Sequence, residues 1–340
     1  MQITINNTQL EVVAGETLLA TARRAGFEIP SLCFVEGAKH KPSCMVCVVK
    51  DCATGQILPS CATMPTEGMQ IETESDEVKN IRSQSLELLL SDHRADCEAP
   101  CSMVCPKGLD IERMLYLYDF IIPKIEEFQD SKILFESLNP AIPVSLNFCE
   151  GCKAPCEKIC RRASVDKAVP IRAIISELVE KYGSTFSSAS KNEENEADKT
   201  LFQSRLGRFT VSEKEWLKRN VTTPSGCLHC ACAGREGCKL RLYATTAGIK
   251  RPRYEASSSL PVMNKLHVTG NMWFEPAKCI RCGLCVYNSS NGFTFKNRGF
   301  VMQIEIPDEN RANVSEKLAE LCPTGALYLV FEPPISTSQD

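Results

Sequence analysis

The chain has 340 residues, 43% hydrophobic and 24% charged, which predicts two or three packed domains at roughly 150 residues each and excludes wholesale disorder. Thirty-nine basic against 42 acidic residues leave a net charge of −3, which excludes a nucleic-acid binder held through phosphate contacts. No apolar stretch approaches the roughly 18 residues of a membrane helix, and MQITINNTQLEVV lacks the basic and apolar regions of a signal peptide, so a cytoplasmic chain without a membrane span is expected.

In chain order, QITIN and QLEVV predict two short strands turning at Asn6-Asn7. Gly15 to Gly26 reads as a helix with Leu18, Leu19 and Ala22 on one face. Met45–Lys50 and Gln70–Thr73 add strands, closing a small sheet with one helix near residue 75. Helices follow at 76–91, 110–128 and, after Pro170, 171–182. Residues 184–200 have no apolar periodicity and read as a flexible linker, with a second loose connection at Ser257–Ser259. The segment 264–332 alternates cysteine motifs with short strands and one helix, Ser315–Leu321, before a tail at 333–340 expected to be disordered.

Cysteine is the outlier: 20 residues, of which all but Cys52 fall in tight clusters. A disulfide framework suits a short secreted chain, so these thiols read as ligands of zinc or of iron–sulfur clusters. Cys52 is left over and reads as a small core residue.

Cys33, Cys44, Cys47 and Cys61 form C-x10-C-x2-C-x13-C around the first sheet. One long loop giving three thiolates, with a fourth from afar, encloses a two-iron cluster as in a ferredoxin. Plant-type ferredoxins have x4 where this chain has x10. The spacing resembles the N-terminal domain of the complex I 75-kDa subunit and the matching subunits of NAD-linked hydrogenases and formate dehydrogenases, over about residues 1–95. That resemblance implies a β-grasp [2Fe–2S] ferredoxin domain over 1–75.

His93-x3-Cys97 starts a four-iron motif of the same family, but the chain continues Cys97-x3-Cys101-x3-Cys105-Pro106. Cys149-x2-Cys152-x3-Cys156-x3-Cys160 follows, then Pro170-Ile171-Arg172-Ala173-Ile174. From 93 to 183 the chain resembles the N-terminal cluster domain of the glutamate synthase small subunit and dihydropyrimidine dehydrogenase. The resemblance implies a helical domain over 76–183 with two cross-ligated [4Fe–4S] clusters. One would be held by His93, Cys97, Cys101 and Cys160, the other by Cys105, Cys149, Cys152 and Cys156. Seven thiols for eight ligand positions leave His93, or another non-cysteine ligand, to complete the set; otherwise His93 is a solvated residue at a helix end.

Cys227-x2-Cys230-x-Cys232-x5-Cys238, in a segment spanning 201–263, fits either another [4Fe–4S] cluster or tetrahedral zinc, with His229 as a donor to the ligand sulfurs rather than a ligand. Cys279-x2-Cys282-x2-Cys285 with remote Cys322-Pro323 resembles a bacterial ferredoxin carrying one [4Fe–4S] cluster. A two-cluster ferredoxin would need a further Cys-Pro where Ser289 and Ser290 stand.

The expected architecture is α+β multidomain: the β-grasp domain, the helical two-cluster domain and a small bacterial-ferredoxin-like domain. One [2Fe–2S] and three or four [4Fe–4S] clusters are expected, with zinc as an alternative at Cys227–Cys238. There is no dinucleotide fingerprint, no Walker A, and no Ser-His-Asp or paired-carboxylate constellation. The resemblances imply a non-catalytic electron-transfer subunit of an NAD(P)H-linked oxidoreductase, such as a hydrogenase or formate dehydrogenase. Its expected partners are a flavin-containing NAD(P)H subunit and a catalytic subunit, in a hetero-oligomer. The alternatives are a subunit with an open-site catalytic or sensory cluster, a component of a glutamate-synthase-type reductase, or a zinc-stapled scaffold.

Overall fold

The computed structural model describes residues 1–93, 97–123, 149, 151–164, 166–182, 223–232, 237–249, 254 and 265–330. The expected linker at 184–200, the connection at Ser257–Ser259, the tail at 333–340 and the end of the helix expected at 110–128 lie outside the described residues. The chain packs as two units. One comprises Met1–Arg94, Ala233–Ser259 and Lys265–Asp340; the other comprises Ala95–Cys232 and Leu260–Asn264.

The first unit begins with β1 (Gln2–Ile5) and β2 (Thr8–Glu11), paired antiparallel with Ile3 opposite Leu10. Asn6 (φ 46°) and Asn7 (φ 68°) are both left-handed, as the two-residue hairpin whose twist matches its strands requires. Helix α1 (Leu18–Arg24) starts where Thr17 Oγ1 accepts from Ala20 N and ends at the left-handed Gly26. It buries Leu18, Leu19 and Ala22 with Ile3, Ile5, Val49 and Ile71, at about 1.5–3 kcal/mol for each large side chain. Strands β3 (Val48–Asp51), β4 (Ile57–Pro59) and β5 (Gln70–Glu72) complete a sheet in the order β2-β1-β5-β3-β4, with β1 and β5 parallel.

Helix α2 (Asp76–Asp92) follows, with Asp76 and Glu77 favourably placed in its first turn. Its buried Arg82 donates through Nε and Nη2 to Val48 O at 3.1 and 2.8 Å, tying the helix to the strand that leaves Cys47.

Later segments of the same unit form a second core. Strands β6 (Leu266–Thr269), β7 (Met272–Phe274) and β10 (Leu327–Leu329) pair antiparallel in the order β10-β7-β6, and β8 (Thr294–Lys296) pairs with β9 (Gln303–Glu305). Phe274, Phe293, Ile304 and Leu327 fill the space between them.

The second unit is helical among its described residues. Helices α3 (Pro100–Met103) and α4 (Ile111–Tyr116) lead into a widened turn of π-helix at Leu117–Ile121. Helices α5 (Pro155–Lys158) and α6 (Ile171–Tyr182) follow. Helix α6 buries Ile171, Ile174, Ile175 and Leu178, the i, i+3, i+4, i+7 stripe of an amphipathic helix, against Leu109, Ile111, Met114 and Leu115. Among the described residues, no helix is long and apolar enough to cross a membrane.

Candidate metal centres

Cys33, Cys44, Cys47 and Cys61 are all buried, with the first three on the loop between α1 and β3. Met45 is left-handed at φ 54°, and the amides around it turn inward: those of Ser43 and Cys44 donate to the Cys33 sulfur and that of Val46 to the Cys44 sulfur. The thiols contact one another, Cys33 with Cys44 and Cys61, and Cys47 with Cys61. Accepting a hydrogen bond from Cys44, and then from Cys61, pulls Cys33 strongly down; the bond from Cys61 lowers Cys47 to about 6. The donors Cys44 and Cys61 are pushed up, first by their bonds to Cys33 and further by burial. Protons shared in this way among four crowded sulfurs are displaced when the sulfurs turn to a positive centre.

Hydrogen bonds tie the frame around this centre together. Ser60 Oγ donates to Cys47 O at 2.6 Å, and Arg23 Nη2 donates to Ile29 O at 2.9 Å and Ser31 Oγ at 2.7 Å. The same guanidinium lies 5.7 Å from the Phe34 ring centroid, and Phe34 meets His40 edge-on.

Cys279, Cys282, Cys285 and Cys322 line one cavity with Phe274, Ile304, Pro323 and Leu327. Left-handed Arg281 and Gly283 coil the loop so that its amides face the sulfurs: Arg281 N donates to Cys279 Sγ at 3.3 Å, and Leu327 N to Cys322 Sγ at 3.4 Å. Leu284 N and Val286 N serve Cys282 and Cys285. Burial pushes Cys279 up to about 12 and raises Cys282 and Cys285 as well. Unpartnered thiolates are costly in such a site, whereas thiolates bound to iron are not.

Two further cavities lie in the helical unit. One is lined by Cys105, Cys149, Cys152 and Cys156, the four residues expected together, with Pro106, Ile171 and Arg172. Left-handed Ala154 sets Pro155 at the start of α5, which carries Cys156; burial raises that thiol to about 11. Arg172 Nη1 donates to Cys152 O at 3.1 Å.

The other cavity is lined by Cys101, Cys160, Cys227 and Cys230. Cys101 and Cys160 were expected with His93 and Cys97, neither of which lines it. Burial raises both Cys101 and Cys227. The loop carrying Cys227 and Cys230 is clamped by groups that spacing did not disclose. His229, at φ 45°, brings its amide within 3.3 Å of Cys227 Sγ, while its ring places Nδ1 3.1 Å from Glu112 Oε1 and Nε2 3.0 Å from Asp119 Oδ2. Asp119, on the widened π turn, also accepts from Ser225 N and Oγ at 2.7 and 2.6 Å.

Cys232 N donates to Cys97 O at 3.3 Å within the helical unit. Cys238 belongs to the other unit, where its Sγ accepts from Arg241 N and caps α7 (Lys239–Thr246). His93 ends α2 and is buried, so the solvated alternative is corrected. Cys52 is exposed and not a core residue, because its turn after β3 faces outward.

Residues 1–76 match the 2Fe-2S iron–sulfur cluster binding domain, and residues 272–329 the 4Fe-4S single cluster domain. An NADH-quinone oxidoreductase subunit of Rhizobium meliloti (strain 1021) is 33% identical over 166 residues, 47% of this chain and 18% of that protein. The HndD subunit of the NADP-reducing hydrogenase of Solidesulfovibrio fructosivorans is 38% identical over 117 residues, 33% of this chain and 19% of that one. YrhE of Bacillus subtilis (strain 168), which carries the name of a formate dehydrogenase, is 25% identical over 178 residues, 50% of this chain and 17% of that one. The chain thus spans about a fifth of the length of the curated relatives it matches. It is a multidomain iron–sulfur protein of mixed helix and sheet, with a 2Fe-2S domain at one end and a 4Fe-4S domain towards the other.

Proposed function

We propose that the chain relays electrons within a multi-subunit NAD(P)H-linked oxidoreductase, between a flavin-containing subunit and a catalytic one. The observation that carries this reading is the gathering of sixteen cysteines into four groups of four, at Cys33–Cys61, around Cys105, around Cys101 and at Cys279–Cys322. The first group, on a β-grasp-like sheet, would hold a [2Fe–2S] cluster. Each of the other three would hold a [4Fe–4S] cluster, the last on a small bacterial-ferredoxin-like fold. When bound, such clusters supply reversible one-electron chemistry tuned by hydrogen bonds and burial. The relatives named as NADH-quinone oxidoreductase, NADP-reducing hydrogenase and formate dehydrogenase support the class of complex.

The protein's own part is to hold and screen. Amides of Ser43, Cys44, Val46, Arg281, Leu284, Val286 and Leu327 point at ligand sulfurs, which stabilises the more negative state. Apolar walls such as Phe274, Ile304 and Ile171 keep water from the sites. Among the described residues, His93, Cys97, Cys232 and Cys238 do not line the three cavities named above.

The test is a coulometric reductive titration of the anaerobic, iron-loaded chain, followed by electron paramagnetic resonance (EPR). The expected result is reversible uptake of one electron per cluster and no turnover of hydrogen or formate by the chain alone. A colourless protein, or one whose clusters take up no electrons reversibly, would overturn the reading.

A further inference from the structure

The long first cysteine loop packs against the last cysteine motif. Within the first unit, Lys39 N donates to Asn288 Oδ1 at 2.9 Å, and Asn288 Nδ2 donates back to Lys39 O at 2.8 Å. Asn288 caps the end of α8 (Leu284–Tyr287), the helix that carries Cys285, and a second bond from its Nδ2 to Leu284 O fixes its rotamer. Lys41 Nζ lies 5.4 Å from the Tyr287 ring centroid. One groove is lined together by Cys44 and Met45, by Leu88 and Leu89 of α2, and by Cys279 and Arg281.

Lys39 and Lys41 fall inside the x10 stretch, which is longer than a plant-type ferredoxin needs to wrap its cluster. The additional residues are the ones that reach α8. We propose that this stretch docks the Cys33–Cys61 centre onto the Cys279–Cys322 centre, making the two a directly coupled redox pair. The inference rests on the cluster-bearing reading above and adds to it an order of transfer that linear position does not give. In the step itself, one electron leaves the reduced centre, oxidising it by one unit. The same electron enters the other centre, reducing it by one unit, with no proton moved and no bond broken. Direction follows the two potentials.

The test uses the full iron-loaded chain and EPR of the reduced [2Fe–2S] signal under two conditions, with the C-terminal [4Fe–4S] cluster reduced and with it oxidised. Full reduction by a europium(II) chelate gives the first condition. Poising at a potential where only the [2Fe–2S] centre is reduced gives the second; Cys322→Ser, which removes the C-terminal signal, gives it independently. The expected result is a broadened, fast-relaxing [2Fe–2S] signal when both are reduced, and loss of that broadening when the partner is oxidised or absent. Two intact signals that ignore each other's redox state would overturn the pairing and leave the proposed function standing. Absence of either signal, with iron low in proportion, would overturn the cluster assignment and the pairing with it. If Cys322→Ser fails to fold, the wild-type comparison between the two potentials decides alone.

Discussion

Lys278 and Glu275 form an ion pair whose side chains are 1% and 4% exposed, beside Cys279. Glu275 Oε1 is buried and accepts no hydrogen bond from the described residues. The pair joins both halves of the C-terminal centre: Lys278 O accepts from Thr324 Oγ1 at 2.9 Å, and Glu275 N donates to Ala326 O at 2.7 Å, on either side of the turn that follows Cys322. Lys278→Met strands a buried carboxylate, which costs about 3–5 kcal/mol. With a guanidinium m-value of roughly 2–6 kcal/mol per molar, the unfolding midpoint should fall by about 1 M. Because one carboxylate oxygen is already unsatisfied, Glu275→Leu combined with Lys278→Met should be nearly neutral. Anaerobic guanidinium titration of the full chain, read by loss of the C-terminal EPR signal, compares the midpoints. A single variant within roughly 0.2 M of wild type, or a double variant worse than the single, would refute the reasoning.

Three further outcomes follow from other sites. Asp119→Ala removes the anchor of Ser225 and of His229 Nε2 and should loosen the Cys227–Cys230 loop, with loss of about four irons per chain measured by elemental analysis. Gly283→Ala places a Cβ 2.7 Å from Tyr287 and 2.8 Å from Phe295 at a left-handed φ of 77°; it should destabilise the C-terminal centre by about 1–3 kcal/mol, seen as a lower denaturant midpoint. Cys52, being exposed, should be alkylated by iodoacetamide in the iron-loaded protein ahead of the ligand thiols, and Cys52→Ser should leave the iron content unchanged.

Local signals were legible because local physics decides them. Asn6-Asn7 set the hairpin, Gly26 ended α1, and Pro170 opened the helix that became Ile171–Tyr182, whereas α1 starts at Leu18 and not at Gly15 because Thr17 caps it. Strand β4 escaped notice because three residues ending in proline carry little strand pattern, and proline is tolerated there at a sheet edge. Helix α7 escaped notice because its N-cap is a cysteine, read only as a ligand; its sulfur also accepts the capping hydrogen bond from Arg241 N. The grouping of Cys101 and Cys160 with Cys227 and Cys230 depends on tertiary contacts such as Ser225 to Asp119, 106 positions apart, and cysteine spacing reports only on its own loop. The contact of Lys39 with Asn288 spans 249 positions and lies equally beyond motif reading.

Iron, acid-labile sulfide and zinc in the anaerobically purified chain test the central claim most directly. Four clusters require 2 + 4 + 4 + 4, about 14 irons per chain, matched by sulfide, with one [2Fe–2S] signal and several [4Fe–4S] signals on reduction. About 18 irons would add a fifth cluster held by residues outside the four cysteine groups. Iron far below about 14 in intact protein, or zinc in place of iron, would contradict the account.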